Sequence, residues 1–198
     1  MPPLLDSADS APVLQPSEAG NGFTLRIASP QDASALARAA ATFFVQTFGS
    51  ANRREDMDAY LASAFSVERQ RADLQDPNQR VWLALGVNGD TVGYAHVRRR
   101  PLPTNISIAR PSATEIARIY ADQTWHGHGL GAALLRACIE TAQEWGAEVI
   151  WLGVWERNPR AIAFYEKHGF RAVGEQEFQL GADRQRDVVM ALNLTTAS

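Results

Sequence analysis

Residues 125–137, WHGHGLGAALLRA, place glycine at 127, 129 and 131, set two histidines between them, and then turn into helix-forming sequence. A backbone stripped of side chains at alternate positions lets a ligand come close just where a helix begins. His126 and His128 could share a metal ion, but such a site needs a third or fourth ligand. The other two histidines, His96 and His168, lie in distant segments, so no metal is expected. Gly127-x-Gly129-x-x-Ala132 also matches a dinucleotide-binding fingerprint. That motif wants an acidic residue ending the next strand to hold a ribose, whereas Glu148 begins it. The third chemistry is a diphosphate cradle. Backbone N–H groups in the first turn of a helix are orphan donors, and the helix dipole there favours negative charge. Glycine removes the Cβ that would keep an anion away. A tight turn that binds nothing stays open beside these.

The surrounding elements follow from pattern. Residues 1–22 are rich in Pro, Ser, Ala and Asp and are expected as a flexible tail, as are 195–198. FTLRIA at 23–28 alternates as a strand, and Asp32 opens a helix running to about Gln46 with Leu36, Ala40, Phe43 and Phe44 on its apolar side. A second helical pattern covers 54–65, and Ser66 and Glu68 start a short third one. Residues 80–99 are two strands joined at Asn88-Gly89, and the prolines at 101, 103 and 111 mark a loop. A strand at 114–121 precedes the glycine stretch. From Leu130 a helical period runs to Gly146, EVIWLGVW at 148–155 is a buried strand, and NPRAIAFYEKHG at 158–169 is a punctuated helix. Strands near 170–180 and 185–194 close the chain. The order predicts an α/β fold with one mixed sheet and helices on its faces, in one domain over 23–194.

Bulk properties narrow the function. A chain of 198 residues with 45% hydrophobic and 21% charged residues suits one soluble globular domain. A net charge of −3 gives no basic field for nucleic acid. One cysteine, Cys138, excludes an internal disulfide and fits a reducing compartment. No run of about 18 apolar residues is present to cross a membrane, and the first 22 residues lack the basic start and apolar stretch of a signal peptide. A cytoplasmic protein is expected, with no nucleic-acid or membrane partner; a homodimer is left open. Of the 19 basic residues, only Lys167 is lysine.

Several segments together resemble the GNAT superfamily of N-acetyltransferases, enzymes that use acetyl-coenzyme A. The family's loop, Gln/Arg-x-x-Gly-x-Gly/Ala after a strand, is matched by His126-x-x-Gly129-x-Gly131. NPRAIAFYEKHGF resembles its second motif through Asn158, Tyr165, Gly169 and Phe170. Glu115–Ala121 and RIASPQDASALA resemble its central strand and its opening strand and helix. The likeness covers about 23–194 and departs at His126, where the family usually has glutamine or arginine. It implies a sheet of about seven strands, flanked by helices on both faces and splayed between the strands at 114–121 and 148–155. It also implies acetyl-coenzyme A as co-substrate and a primary amine of a small molecule or peptide as acceptor, with similarity to the polyamine-acetylating subgroup.

That resemblance assigns roles. The main chain of His126, Gly127, His128, Gly129, Leu130, Gly131 and Ala132 would hold the pyrophosphate. Ile119 and Ala121 would hold the pantetheine arm, and a main-chain N–H near Tyr120 or Ala121 would serve the oxyanion. Asn158 could bond the same arm or only cap its helix, and Lys167 could reach a phosphate or only complement its helix dipole. Glu115, a carboxylate in an apolar strand eleven positions before His126, is the expected base, against the alternative of pairing with an arginine such as Arg118. Tyr165 is the expected acid, because a phenol keeps its proton at neutral pH; the alternative is packing against Phe164 and Phe170. Arg98–Arg100 read as a solvated edge, Cys138 as core, and Trp155 as core or cleft lining. Glu55, Asp56 and Asp58 could attract a cationic amine, but favour the start of their helix. A non-catalytic acyl-coenzyme A sensor and a nicotinamide-dependent oxidoreductase are the competing classes.

Overall fold

A computed structural model describes residues 22–106 and 112–194. The expected tails at 1–22 and 195–198 lie outside the described residues, apart from Gly22, as does part of the proline loop. In chain order the elements are β1 (Phe23–Ile27), α1 (Ala33–Phe48), α2 (Arg54–Ala64), α3 (Val67–Gln75), β2 (Gln79–Gly86), β3 (Thr91–Arg99), β4 (Ala113–Ala121), α4 (Leu130–Glu144), β5 (Val149–Trp155), α5 (Pro159–Lys167), β6 (Arg171–Leu180) and β7 (Asp183–Asn193). The strands form one sheet in the order β1-β2-β3-β4-β5-β7-β6. Every neighbouring pair is antiparallel except β4 and β5. β4 and β5 are joined through α4, the crossover a parallel pair requires.

Helices cover both faces. On one side α4 turns Leu130, Leu134, Leu135 and Cys138 into a core shared with Trp82, Ile150 and Phe170; burying each such side chain is worth about 1.5–3 kcal/mol. The Trp82 indole donates to Thr141 Oγ1 at 3.0 Å, so its polar edge is satisfied inside that core. On the other side α1 packs Leu36, Ala40, Phe43 and Phe44 against Val81, Leu83 and Tyr94. Asp32 does more than open α1. Its carboxylate accepts from Ser29 N at 2.7 Å and is held by Arg26 at 2.7 and 2.8 Å, which locks β1 to the start of the helix.

The central departure from regular sheet is in β4. His96 pairs with Arg118 but Val97 pairs with Ile116, so Ala117 is an extra residue in the strand. Such a bulge bends a strand and ends its pairing. Accordingly β4 and β5 pair only over Ala113–Glu115 and Val149–Trp151. Beyond that point Ile116–Ala121 and Leu152–Trp155 run apart, which is the splay expected between these strands.

Candidate active site

The gap between β4 and β5 opens into a cleft of about 960 Å³. Its cofactor end is built by the glycine stretch. Gly127 and Gly129 adopt φ of +85° and +79°, a left-handed backbone that side chains disfavour, and Gly129 is the cap residue of α4. The N–H groups of Leu130, Gly131 and Ala132 lie in the first turn and have no partner within their own helix. They face the cleft with Gly127 and Gly129, and no Cβ at 127 would meet any atom within 4 Å. A row of unpaired donors at a helix N-terminus suits a diphosphate. Among the described residues no cluster of His, Cys, Asp or Glu could hold a metal ion.

The histidines divide. His126 lines the cleft. Its ring bonds the Ala121 carbonyl, while burial and the nearby Arg160 guanidinium lower its pKa, which favours the neutral form. Arg160, at the start of α5, brings to this loop the cation that His126 does not supply; the sequence had offered no reason to single it out. His128 turns away from the cleft instead, its Nδ1 3.1 Å from the His126 carbonyl and its ring against Trp125. Its main-chain N–H donates to the Trp125 carbonyl at 3.3 Å, so the expected contact of His128 with a phosphate is not supported by side chain or amide.

The pairing of β4 decides which of its amides are free. Asp122 N donates to the Val92 carbonyl on β3. Alternate residues of a strand point their N–H groups to the same side, so Tyr120 also faces β3 while Ile119 and Ala121 face the gap. Of the three predicted main-chain contacts, Tyr120 is thus the one misplaced: its ring faces the acceptor side, against Phe48 and Tyr94.

Tyr165 is buried on α5 and reaches the cleft wall. It packs against Phe164 and Phe170 at 5.3 and 5.7 Å. Burial raises its pKa, so the phenol is a proton donor at neutral pH. The Tyr165 carbonyl accepts from Phe170 N at the end of α5, which fixes the residue's place in the last turn. Asn158 uses Oδ1 to cap α5, accepting from Ala161 N at 3.1 Å. Both Asn158 and Lys167 line the cleft.

Glu115 meets surroundings different from those expected. Its carboxylate accepts from Arg98 at 2.5 and 3.0 Å and from Arg100 at 3.3 Å. It also lies where β4 and β5 are still paired, opposite Trp151. A carboxylate already engaged by two guanidiniums has little room to take a proton from an amine, which corrects its assignment as base. The partners are Arg98 and Arg100 rather than Arg118, and Arg98 is therefore no solvated edge residue.

A different carboxylate meets the requirement. Asp187 on β7 is 7% exposed and pairs across the sheet with Trp155, beyond the point where β4 leaves β5. Burial pushes its pKa up to about 6, with a hydrogen bond from Gln176 acting in the opposite direction. Its side chain lies over Gly153, where an added Cβ would meet Oδ2 at 2.9 Å and the Gln176 amide closer still. Gly153→Ala is therefore expected to displace both groups, costing about 1–3 kcal/mol of stability together with acceptor turnover. Thermal unfolding alongside an acetylation assay checks this.

The acceptor side of the cleft is roofed by α1, α2 and α3. Phe48 of α1 meets Tyr120 and Trp155 edge-on at 6.2 and 5.9 Å, so Trp155 lines the cleft instead of filling a core. Gln46 ties α1 to the cofactor loop, with Nε2 3.1 Å from Asp122 Oδ2 and its carbonyl 2.7 Å from Gln123 Nε2. Glu55 and Asp58 pair with Arg53 and Arg54, and neither lines the cleft. Asp56 accepts from Ala182 N at 2.7 Å, fastening α2 to the β6–β7 turn.

Comparison with known proteins agrees with this architecture. Residues 41–170 match the family described as "Acetyltransferase (GNAT) family". An uncharacterized N-acetyltransferase of Lactobacillus delbrueckii subsp. lactis is 33% identical, over 74% of this chain and 83% of that protein. A streptothricin acetyltransferase of Streptomyces lavendulae is 29% identical, over 78% and 85%. Among solved structures, a PaiA N-acetyltransferase of Thermoplasma acidophilum in complex with coenzyme A shares the fold. Its TM-score is 0.68 at 16% identity, over 87% of this chain and 99% of that one.

Proposed function

The chain belongs to the GNAT acetyltransferase family, and from that membership we propose that it moves an acetyl group directly from acetyl-coenzyme A to a primary amine of a small molecule or peptide. The observation that carries this reading is the continuity of the cleft. It runs from the first-turn amides at 130–132, along the open edge of β4, to a buried carboxylate and a neutral phenol. Bound acetyl-coenzyme A supplies the thioester. The first-turn amides of α4, with Arg160 beside them, hold its diphosphate, and the main-chain groups of Ile119 and Ala121 hold the pantetheine arm. One of those gap-facing N–H groups polarises the reacting carbonyl.

An alkyl amine titrates near ~10.4 and arrives as ammonium. Asp187 accepts that proton, and Tyr165 donates one to the departing sulfur. Cys138 takes no part: it lies on the core face of α4, and burial pushes its thiol pKa up. No covalent enzyme intermediate is needed.

Titration calorimetry with coenzyme A and acetyl-coenzyme A, followed by thiol release across polyamines, aminoglycosides, amino acids and peptides, tests the reading. Binding with turnover of at least one amine is expected. An absence of heat and of thermal stabilisation would remove the cofactor assignment. Binding with silence across the panel would make the protein an acyl-coenzyme A sensor.

A further inference from the structure

Among the described residues Arg118 has no carboxylate partner in an ion pair. It extends from β4 into the acceptor side of the cleft, where its guanidinium lies 4.9 Å from the centre of the Phe65 ring and bonds the Tyr60 side chain. The carboxylates around it are engaged elsewhere. Glu115 is held by Arg98 and Arg100, and Asp73 by Arg69 at 3.1 Å through Oδ1 alone, its buried Oδ2 having no hydrogen-bond partner. Burial acts against the charge of Arg118, but the surrounding tyrosines, Tyr94 first among them, outweigh it, so its pKa is raised and it stays a cation. Buried charges in folded proteins are ordinarily paired.

The Tyr94 hydroxyl near Arg118 is buried without a hydrogen-bond partner but does not line the cleft; Asp73 Oδ2, the other such atom among the described residues, belongs to a residue that does. His96 beside them adds no negative charge: burial, with Arg118, Arg98 and Arg69 nearby, lowers its pKa to about 3, so it is neutral. A guanidinium offers a planar fork that matches a carboxylate.

We propose that Arg118 forms a carboxylate-binding subsite, so that the acceptor amine belongs to a molecule that also carries a carboxylate, as an amino acid or short peptide does. This rests on the acetyltransferase reading above and narrows its substrate class. The placement supports it: Arg118 is adjacent in β4 to Ile119, whose main chain faces the reaction gap. An acceptor anchored by its carboxylate at Arg118 therefore has its amine on the side where transfer takes place. A purely cationic polyamine would offer Arg118 no anion there.

The test pairs acceptors that differ only in the carboxylate: free amino acids and short peptides against their carboxamides and decarboxylated amines. Wild-type enzyme is expected to favour the carboxylate form at least tenfold in kcat/KM. Arg118→Gln should raise KM for that form about thirtyfold or more and leave the carboxamide nearly unchanged. Tyr94→Phe, which removes a hydroxyl that does not line the cleft, should leave the carboxylate preference in place. Stabilisation by coenzyme A reports that each variant is folded. Amines turned over with no carboxylate preference, or an Arg118→Gln loss equal for both members of a pair, would overturn the subsite and leave acetyl transfer intact. Cofactor binding with no amine turned over would defeat the parent reading instead.

Discussion

Asp187→Asn is expected to lower kcat/KM for the amine by roughly 10²–10⁴-fold while leaving coenzyme A affinity unchanged. Asparagine keeps the shape and the position over Gly153 but cannot accept a proton. The pH profile carries a separate signature. A base must be unprotonated to act, so wild-type activity should climb as pH rises through about 6, and the variant should lose that limb. Stability moves the other way. The pKa of this carboxyl is raised above its ordinary value of 3.8, so the fold disfavours its ionised form, and that penalty grows as pH rises from about 4 through 6. Asparagine removes the penalty: Tm should rise above pH 6 and be unchanged below pH 4. Kinetics with full activity in Asp187→Asn would dismiss the assignment, whatever the stability data show.

Tyr165→Phe is expected to cut kcat by roughly a hundredfold with little change in KM for either substrate. The ring contacts with Phe164 and Phe170 survive the change, so the variant should fold and bind cofactor normally. Loss of an interaction made only in the transition state lowers kcat and kcat/KM together. Single-turnover rates separate this from slowed product release. An unaltered chemical step would reduce Tyr165 to an aromatic packing residue.

Local signals made the architecture legible. Glycine and proline punctuation located α4 and α5, alternation located the β2–β3 hairpin, and an unbroken apolar run marked β5 as interior. Boundaries moved only slightly, with α1 reaching Phe48 and β7 beginning at Asp183. The cofactor end of the site was legible for the same reason: its chemistry is main-chain, and the glycines advertise it. The acceptor end was not, because its groups meet through strand register. Glu115 looked isolated in its strand, yet Arg98 stands opposite it in β3. Asp187 looked like one acidic residue in a C-terminal strand. Its signal was an aspartate entering the apolar run VVMAL, but only the facing Gly153 explains how it is accommodated. Arg118 was weighed as a partner for Glu115, and its isolation became visible only once Arg98 and Arg100 had taken that role.

The parting of β4 from β5 leaves a slot one strand wide in the middle of the sheet, with hydrogen-bonding groups of Ile119 and Ala121 along one rim. An extended amide-bearing chain entering that slot completes the sheet as an inserted strand would. On the reading proposed above, ligand and protein would then share one secondary structure, and the sheet would be whole only while the enzyme is loaded.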